Sequence, residues 1–185
     1  MNNKSMDLIE KKDAIKRISK ESWLVGKDCV KDDVYMECII DILDSEPFQK
    51  MHKYIQHGNT STMEHCISVS YVSYKIARKM NFDYVSVARA GLLHDLFLYD
   101  WHTHAAKTGN YFHGYTHPAV ALKNAEKYYT LNDIEKNSIL RHMWPLTPIP
   151  PKYKEGYVIV YADKYCSSKE VLKESRIVKN IVGEF

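Results

Sequence analysis

A chain of 185 residues, 45% hydrophobic and 26% charged, is sized for one domain with a buried core, which excludes the disordered and fibrous classes. Its formal net charge of +3 tolerates an anionic substrate but falls short of the clustered basic footprint of a nucleic-acid binder. The four cysteines (Cys29, Cys38, Cys66 and Cys166) form no C-x-x-C pair, and a chain this long needs no disulfide staples, so reduced thiols and a cytoplasmic location are expected. The polar start, Met1 to Asp7, has no apolar stretch of the signal-peptide kind. No apolar run approaches the ~18 residues of a membrane span, so no membrane association is expected.

Seven glycines, six prolines and little alternation of period two predict an all-α fold. Residues 1–28 mix Lys, Asp and Glu with isolated apolar positions such as Leu8, Ile15 and Ile18, the pattern of a short amphipathic edge helix. Val34, Met36, Ile39, Ile40, Ile42 and Leu43 recur at helical spacing, and Pro47 marks the break after them. A turn at His57-Gly58-Asn59 leads to Ser61-Thr62-Met63-Glu64, the S-x-x-E form of a capping box. The helix it opens carries His65 on one face with Val69, Val72 and Ile76, so His65 should point inward.

A further helix begins with Asp83 as N-cap and runs to His94-Asp95, its Ala88, Ala90 and Gly91 letting neighbours approach closely. From Leu98 to Thr116, two glycines, five aromatics and His102, His104 and His113 read as a long loop folded over a site. Pro118 suits the first turn of the next helix and puts His117 at its N-terminus; with Gly114 it argues against one continuous helix through His113 and His117. Asn132 and Glu135 offer a second capping box, opening a helix that ends near His142. After the connector Pro145–Pro151, the run from Tyr157 to Asp163 could be a strand by propensity, but its helical surroundings favour a buried helix. Ser167 to Val182 reads as a charged amphipathic helix, with Lys169, Lys173 and Arg176 as a solvated stripe.

His65, His94, Asp95, His117, His142 and Asp163 stand out as one set. They are the types that bind hard or borderline cations, lie about twenty to thirty residues apart, and so must come from separate elements. A lone histidine on a core-facing helix is as a rule a hydrogen-bonded structural residue, but two carboxylates and four imidazoles converging would satisfy two divalent ions, with one carboxylate free to bridge them. Paired ions of that kind serve hydrolysis of phosphoryl groups.

The order His65, then Leu92-Leu93-His94-Asp95, then His117, His142 and Asp163 resembles the HD superfamily of metal-dependent phosphohydrolases over roughly residues 57–170. Glu64-His65-Cys66-Ile67-Ser68 looks like the family's first-histidine helix, and Tyr161-Ala162-Asp163-Lys164 like its final aspartate. The resemblance implies an all-α HD-domain helical bundle in which His65, His94, Asp95 and Asp163 hold one divalent metal. His117 and His142 look like the second-site ligands of the binuclear branch, with Asp95 bridging. Ligand order is similar to that of the bacterial hydrolases that split diadenosine tetraphosphate symmetrically. Iron or manganese is the implied occupant, with nickel, zinc or magnesium as alternatives.

Residues 57–185 are thus expected to form the metal-binding core, and residues 1–56 to be helices packed on it within one structural domain. The expected activity is cleavage of a phosphate ester or anhydride, with a nucleotide as small-molecule substrate, by metal-activated hydroxide. Asp95 and Asp163 are the expected catalytic groups. Many relatives carry a lysine three residues after the His-Asp doublet, where this chain has Leu98, so the substrate-binding role is assigned to Lys164, Arg141 and His113. The alternatives are a metal-binding regulatory module without turnover and an oxygenase-type enzyme with a di-iron centre.

Overall fold

The computed structural model describes residues 28–109 and 111–182. The amphipathic edge helix expected within residues 1–28 lies outside them except for its last residue. Asp28–Lys31 forms α1, Asp33–Leu43 α2 and Glu46–Gln49 α3, followed by a 3-10 turn at Lys50–Lys53. Ile55–His57 (β1) and Thr60–Ser61 (β2) pair antiparallel, and then come α4 (Thr62–Lys79), α5 (Tyr84–Leu93), α6 (Trp101–Thr108), α7 (His113–Tyr128), α8 (Asp133–Arg141) and α9 (Lys154–Val182). The fold is all-α, and the short hairpin is its departure from the purely helical expectation.

Local chemistry explains most boundaries. Ser61 and Glu64 form the reciprocal capping box at the start of α4, Asn132 and Glu135 form the one at the start of α8, and Asp83 caps α5 by accepting from the Ser86 N–H. Each satisfies backbone donors that the first turn leaves open. Pro47 falls in the first turn of α3, where its missing N–H costs nothing. Tyr157 to Asp163 is helical, and α9 runs on through the expected terminal helix as one element of 29 residues.

Two expectations between Leu98 and Thr116 fail. The long loop contains α6, because Asp100 accepts from the His102 N–H at 3.0 Å and from the Thr103 hydroxyl at 3.1 Å, while Gly109 at φ +73° ends the helix. Helix α7 starts at His113 and takes Pro118 inside it, so His113 and His117 do share one helix. Pro118 has no N–H to give the Gly114 carbonyl, so α7 forgoes that one helical hydrogen bond.

One buried apolar cluster runs from Cys29 and Val30 through Ile39, Ile42, Phe48, Leu92, Leu93 and Leu96 to Ile139 and Ile159, so α1–α3 share a core with the helices that follow. Each fully buried leucine or isoleucine contributes about 1.5–3 kcal/mol. Polar contacts set the register between helices. Tyr35 donates to Ser70, and Ser70 to the Ala88 carbonyl, at 2.9 and 2.6 Å, a relay across α2, α4 and α5. Arg89 on α5 joins Glu135 of α8 at 2.8 Å and Asp41 of α2 at 2.7 Å.

At Gly91 the helices α4 and α5 approach closely. A Cβ there would stand 2.7 Å from Ser70 Cα, backbone that cannot step aside. Gly91→Ala must part the two helices that carry His65 and His94. We expect a loss of roughly 1–3 kcal/mol, read from urea unfolding of the metal-free protein.

Candidate metal centre

Four histidines have Nδ1 tied to an oxygen, three of them to a nearby backbone carbonyl and His65 to a distant carboxylate. At the C-terminal ends of α5 and α8, His94 and His142 turn Nδ1 back to the carbonyls of Gly91 and Ile139, both at 2.8 Å. These are last-turn carbonyls that the helix itself leaves open. His117 Nδ1 does the same to the His113 carbonyl at 2.8 Å, and His65 Nδ1 donates to Glu170 at 3.0 Å. A ring nitrogen facing a carbonyl or carboxylate oxygen carries the proton, so the other nitrogen, Nε2, is left with a lone pair.

Those lone pairs converge. His65 Nε2 stands 3.2 Å and His94 Nε2 3.8 Å from Asp163 Oδ1, and His94 Nε2 is 3.5 Å from Asp95 Oδ2. The other oxygen of Asp95 faces His117 Nε2 at 3.2 Å and His142 Nε2 at 3.5 Å. His65, His94 and Asp163 offer donor atoms within 4.8 Å of one another, as do His94, Asp95 and His142. His117 joins them through Asp95 and through His142, whose Nε2 is 2.8 Å from its own.

The donor set fits a divalent cation. His65 Nε2, His94 Nε2 and Asp95 Oδ1 are buried with no hydrogen-bond partner, and the close Nε2 atoms of His117 and His142 are both acceptors once their Nδ1 protons are spent on carbonyls. Acceptors packed against acceptors are repulsive unless a cation lies among them. Imidazole nitrogens with carboxylate oxygens suit zinc, iron, manganese or nickel.

The electrostatics of the bare cluster tell the same story. Burial opposes charge at His65, His94, His142, Asp95 and Asp163, but the carboxylates of Asp163 and Glu170 outweigh it at His65, lifting that imidazole to about 10. Burial is likewise outweighed at His94, which Asp95 holds well above the usual histidine range. At His142 burial wins, reinforced by His117 and His94, and the ring is pushed down to about 3. Asp95 stays well below the usual carboxylate range in spite of burial, chiefly because of His94 and His117. Two aspartates that stay ionised under burial require positive charge beside them, as protons on the facing Nε2 atoms or as a metal cation.

The cluster floors a cavity of about 480 Å³ lined by Gln56, His57, Asp95, Trp101, Tyr111, His113, Gly114, His117, His142, Met143, Asp163, Lys164 and Ser167. All six sequence-derived ligand positions are thus brought together, four of them on this lining and His65 and His94 beneath it. Lys164 and His113 also reach the cavity; Lys164 Nζ is 3.7 Å from Asp163 Oδ2 and donates to the His142 carbonyl at 3.4 Å. Arg141 does not line it. His102 pairs instead with Asp100 at 3.4 Å, and His104 stacks on Tyr99 with ring centres 4.0 Å apart. Lys169 lies over the Tyr165 ring; the side chains of Lys173 and Arg176 are outside the described residues.

Two buried participants escape the ligand spacing. Glu170, 5% exposed, follows Asp163 by two helical turns on the same face of α9, a signal that could have been read. Gln56 donates to Asp95 Oδ2 at 2.6 Å from the hairpin and has no such signal.

Comparison with known proteins bears on this arrangement directly. Residues 62–179 match the HD domain family. An uncharacterized protein of Methanocaldococcus jannaschii is 28% identical over 127 residues, which cover 63% of this chain but span 27% of that relative's length. No solved structure matches the chain. No described helix is long and apolar enough to cross a membrane.

The Glu170 contact carries a prediction. Glu170→Ala frees the His65 ring and its tautomer, and divalent-metal affinity should fall about 10–100-fold, measured as Mn²⁺ retained after dialysis against graded chelator.

Proposed function

This chain belongs to the HD domain family, and we propose that it is a metal-dependent phosphohydrolase of the binuclear branch, cleaving a phosphate ester or anhydride of a nucleotide. The observation that carries the reading is the set of partnerless imidazole and carboxylate lone pairs at the floor of an open cavity. In this reading His65, His94 and Asp163 would hold one cation, His117 and His142 would serve a second, and Asp95 would contribute an oxygen to each side. Bound divalent ions supply Lewis acidity toward a phosphoryl oxygen and toward water. Iron or manganese is the proposed occupant.

The chain's own groups do the rest. Asp95 and Asp163 keep their negative charge under burial, which lets them hold cations and accept hydrogen bonds in a site shielded from bulk water. Lys164 stands on the rim, its ammonium turned to Asp163 and free to meet a phosphate oxygen as well. It takes the part that a lysine after the His-Asp doublet plays in many relatives, while position 98 itself holds a half-buried leucine. His113, stacked between Trp101 and His117, lines the same wall, and the exposed Tyr111 ring beside it offers planar surface to an aromatic base. A volume of about 480 Å³ is of the size that encloses a small ligand. Residues 57–185 are the proposed catalytic core, and residues 1–56 the helices packed on it.

The test is hydrolysis of a panel of nucleotides and aryl phosphates by protein loaded with Mn²⁺, Fe²⁺ or Ni²⁺. We expect turnover of a phosphate ester or anhydride that chelation abolishes, and Asp95→Ala should bring both activity and bound metal to background. Hydrolysis surviving that substitution would contradict the shared role of Asp95. Fully loaded protein that turns over none of the panel would make the chain a metal-binding module, and dioxygen uptake instead of phosphate release would make it an oxygenase.

A further inference from the structure

Gln56 combines three independent peculiarities. In the hairpin ladder Ile55 pairs with Ser61 and His57 with Thr60, so Gln56 is the extra residue of a bulge. Bulges gather beside functional sites because the unpaired residue can be aimed away from the ladder. Burial along β1 is also inverted, with Ile55 41% exposed and Gln56 only 8% exposed. A hairpin serving packing alone would turn the isoleucine in and the amide out, since a buried amide costs free energy unless hydrogen bonds replace its water.

The third peculiarity is where those hydrogen bonds go. Gln56 Nε2 donates to Asp95 Oδ2 at 2.6 Å, and Gln56 Oε1 faces the Thr62 hydroxyl at 3.3 Å, whose one proton it shares with the Tyr54 carbonyl at 3.2 Å. Asp95 decides the amide's orientation, because a flipped amide would set its oxygen against a carboxylate oxygen, acceptor to acceptor. Thr62, buried in the first turn of α4, then backs the amide from behind.

We infer that Gln56 is a positioning residue that divides the Asp95 carboxylate between the two halves of the metal centre. Holding Oδ2 near His94 Nε2, 3.5 Å away, leaves Oδ1 turned to His117 and His142 at 3.2 and 3.5 Å. The terminal torsion of an aspartate is broad and roughly two-fold, so without this bond the carboxylate can swing out of the plane that serves both sides. The bulge exists to place one amide, and the amide sets the geometry of the shared ligand. This inference rests on the metal reading above and adds the group that orients its central carboxylate.

The experiment compares wild type, Gln56→Leu, Thr62→Val, Asp95→Asn and the double variant Gln56→Leu/Asp95→Asn. Each is stripped by chelator and reloaded with Mn²⁺ alone, with binding followed by electron paramagnetic resonance and folding by circular dichroism. Gln56→Leu keeps the volume and removes the donor; we expect Mn²⁺ affinity about 10–100-fold below wild type. Thr62→Val should weaken it in the same direction by less. Asp95→Asn keeps a neutral ligand oxygen, and so a residual Mn²⁺ affinity that Asp95→Ala lacks, but loses the charged carboxylate that Gln56 divides; in that background Gln56→Leu should cost less than it does in wild type.

An equal loss in both backgrounds would show Gln56 to be structural and overturn the inference, as would wild-type affinity in Gln56→Leu. Should Gln56→Leu not fold, Thr62→Val decides, and wild-type affinity there overturns the inference. Wild-type protein that takes up no Mn²⁺ would remove the metal reading itself, a failure distinct from a metal-binding protein indifferent to Gln56.

Discussion

Two carboxylates buried against four imidazole lone pairs form an arrangement that cannot satisfy itself. Asp95 and Asp163 hold their charge well below the usual carboxylate range while burial opposes it, which requires positive charge among the ring nitrogens. The Nδ1 atoms are committed to carbonyls and to Glu170, so the positive charge must sit on the Nε2 side, as protons or as metal. Metal affinity is then inseparable from proton occupancy, because ligand and acid are the same atoms.

The scaffold meets this constraint with rigid elements and short reach. His65 rides in the first turns of α4, while His94 and His142 sit at the ends of α5 and α8, where an open carbonyl is available to fix the ring. The close approach at Gly91 and the Tyr35, Ser70 and Ala88 relay hold the first-histidine helix against the doublet helix. Asp163 and Glu170 follow two turns apart on α9, so one helix supplies both a ligand and the carboxylate that steadies another ligand. Membership of the HD domain family agrees with this construction.

The order of candidate ligands was legible because each residue type is rare on a helical face without a partner and the five positions, counting the His94-Asp95 doublet as one, recur at element-sized spacing. Caps at Asp83, Ser61 and Asn132 were equally legible, since they act over three residues of chain. The stretch after the doublet was harder. Its aromatics and glycines read as loop, while Asp100 and Gly109 supplied the cap and stop of α6, and α7 took Pro118 inside it.

What the sequence determined by itself is the inventory: helices whose start and stop signals lie within a few residues, and six side chains of metal-binding types in an order that short-range chemistry does not explain. What only the tertiary structure decided is which atoms face one another. The hydrogen bond from Gln56 to Asp95 joins residues 39 apart, the one from His65 to Glu170 joins residues 105 apart, and Lys164 rather than Arg141 reaches the cavity. Such pairings depend on the packing angle of helices and the bulge of a hairpin, which are set by the sum of many apolar contacts and leave no local pattern in the chain.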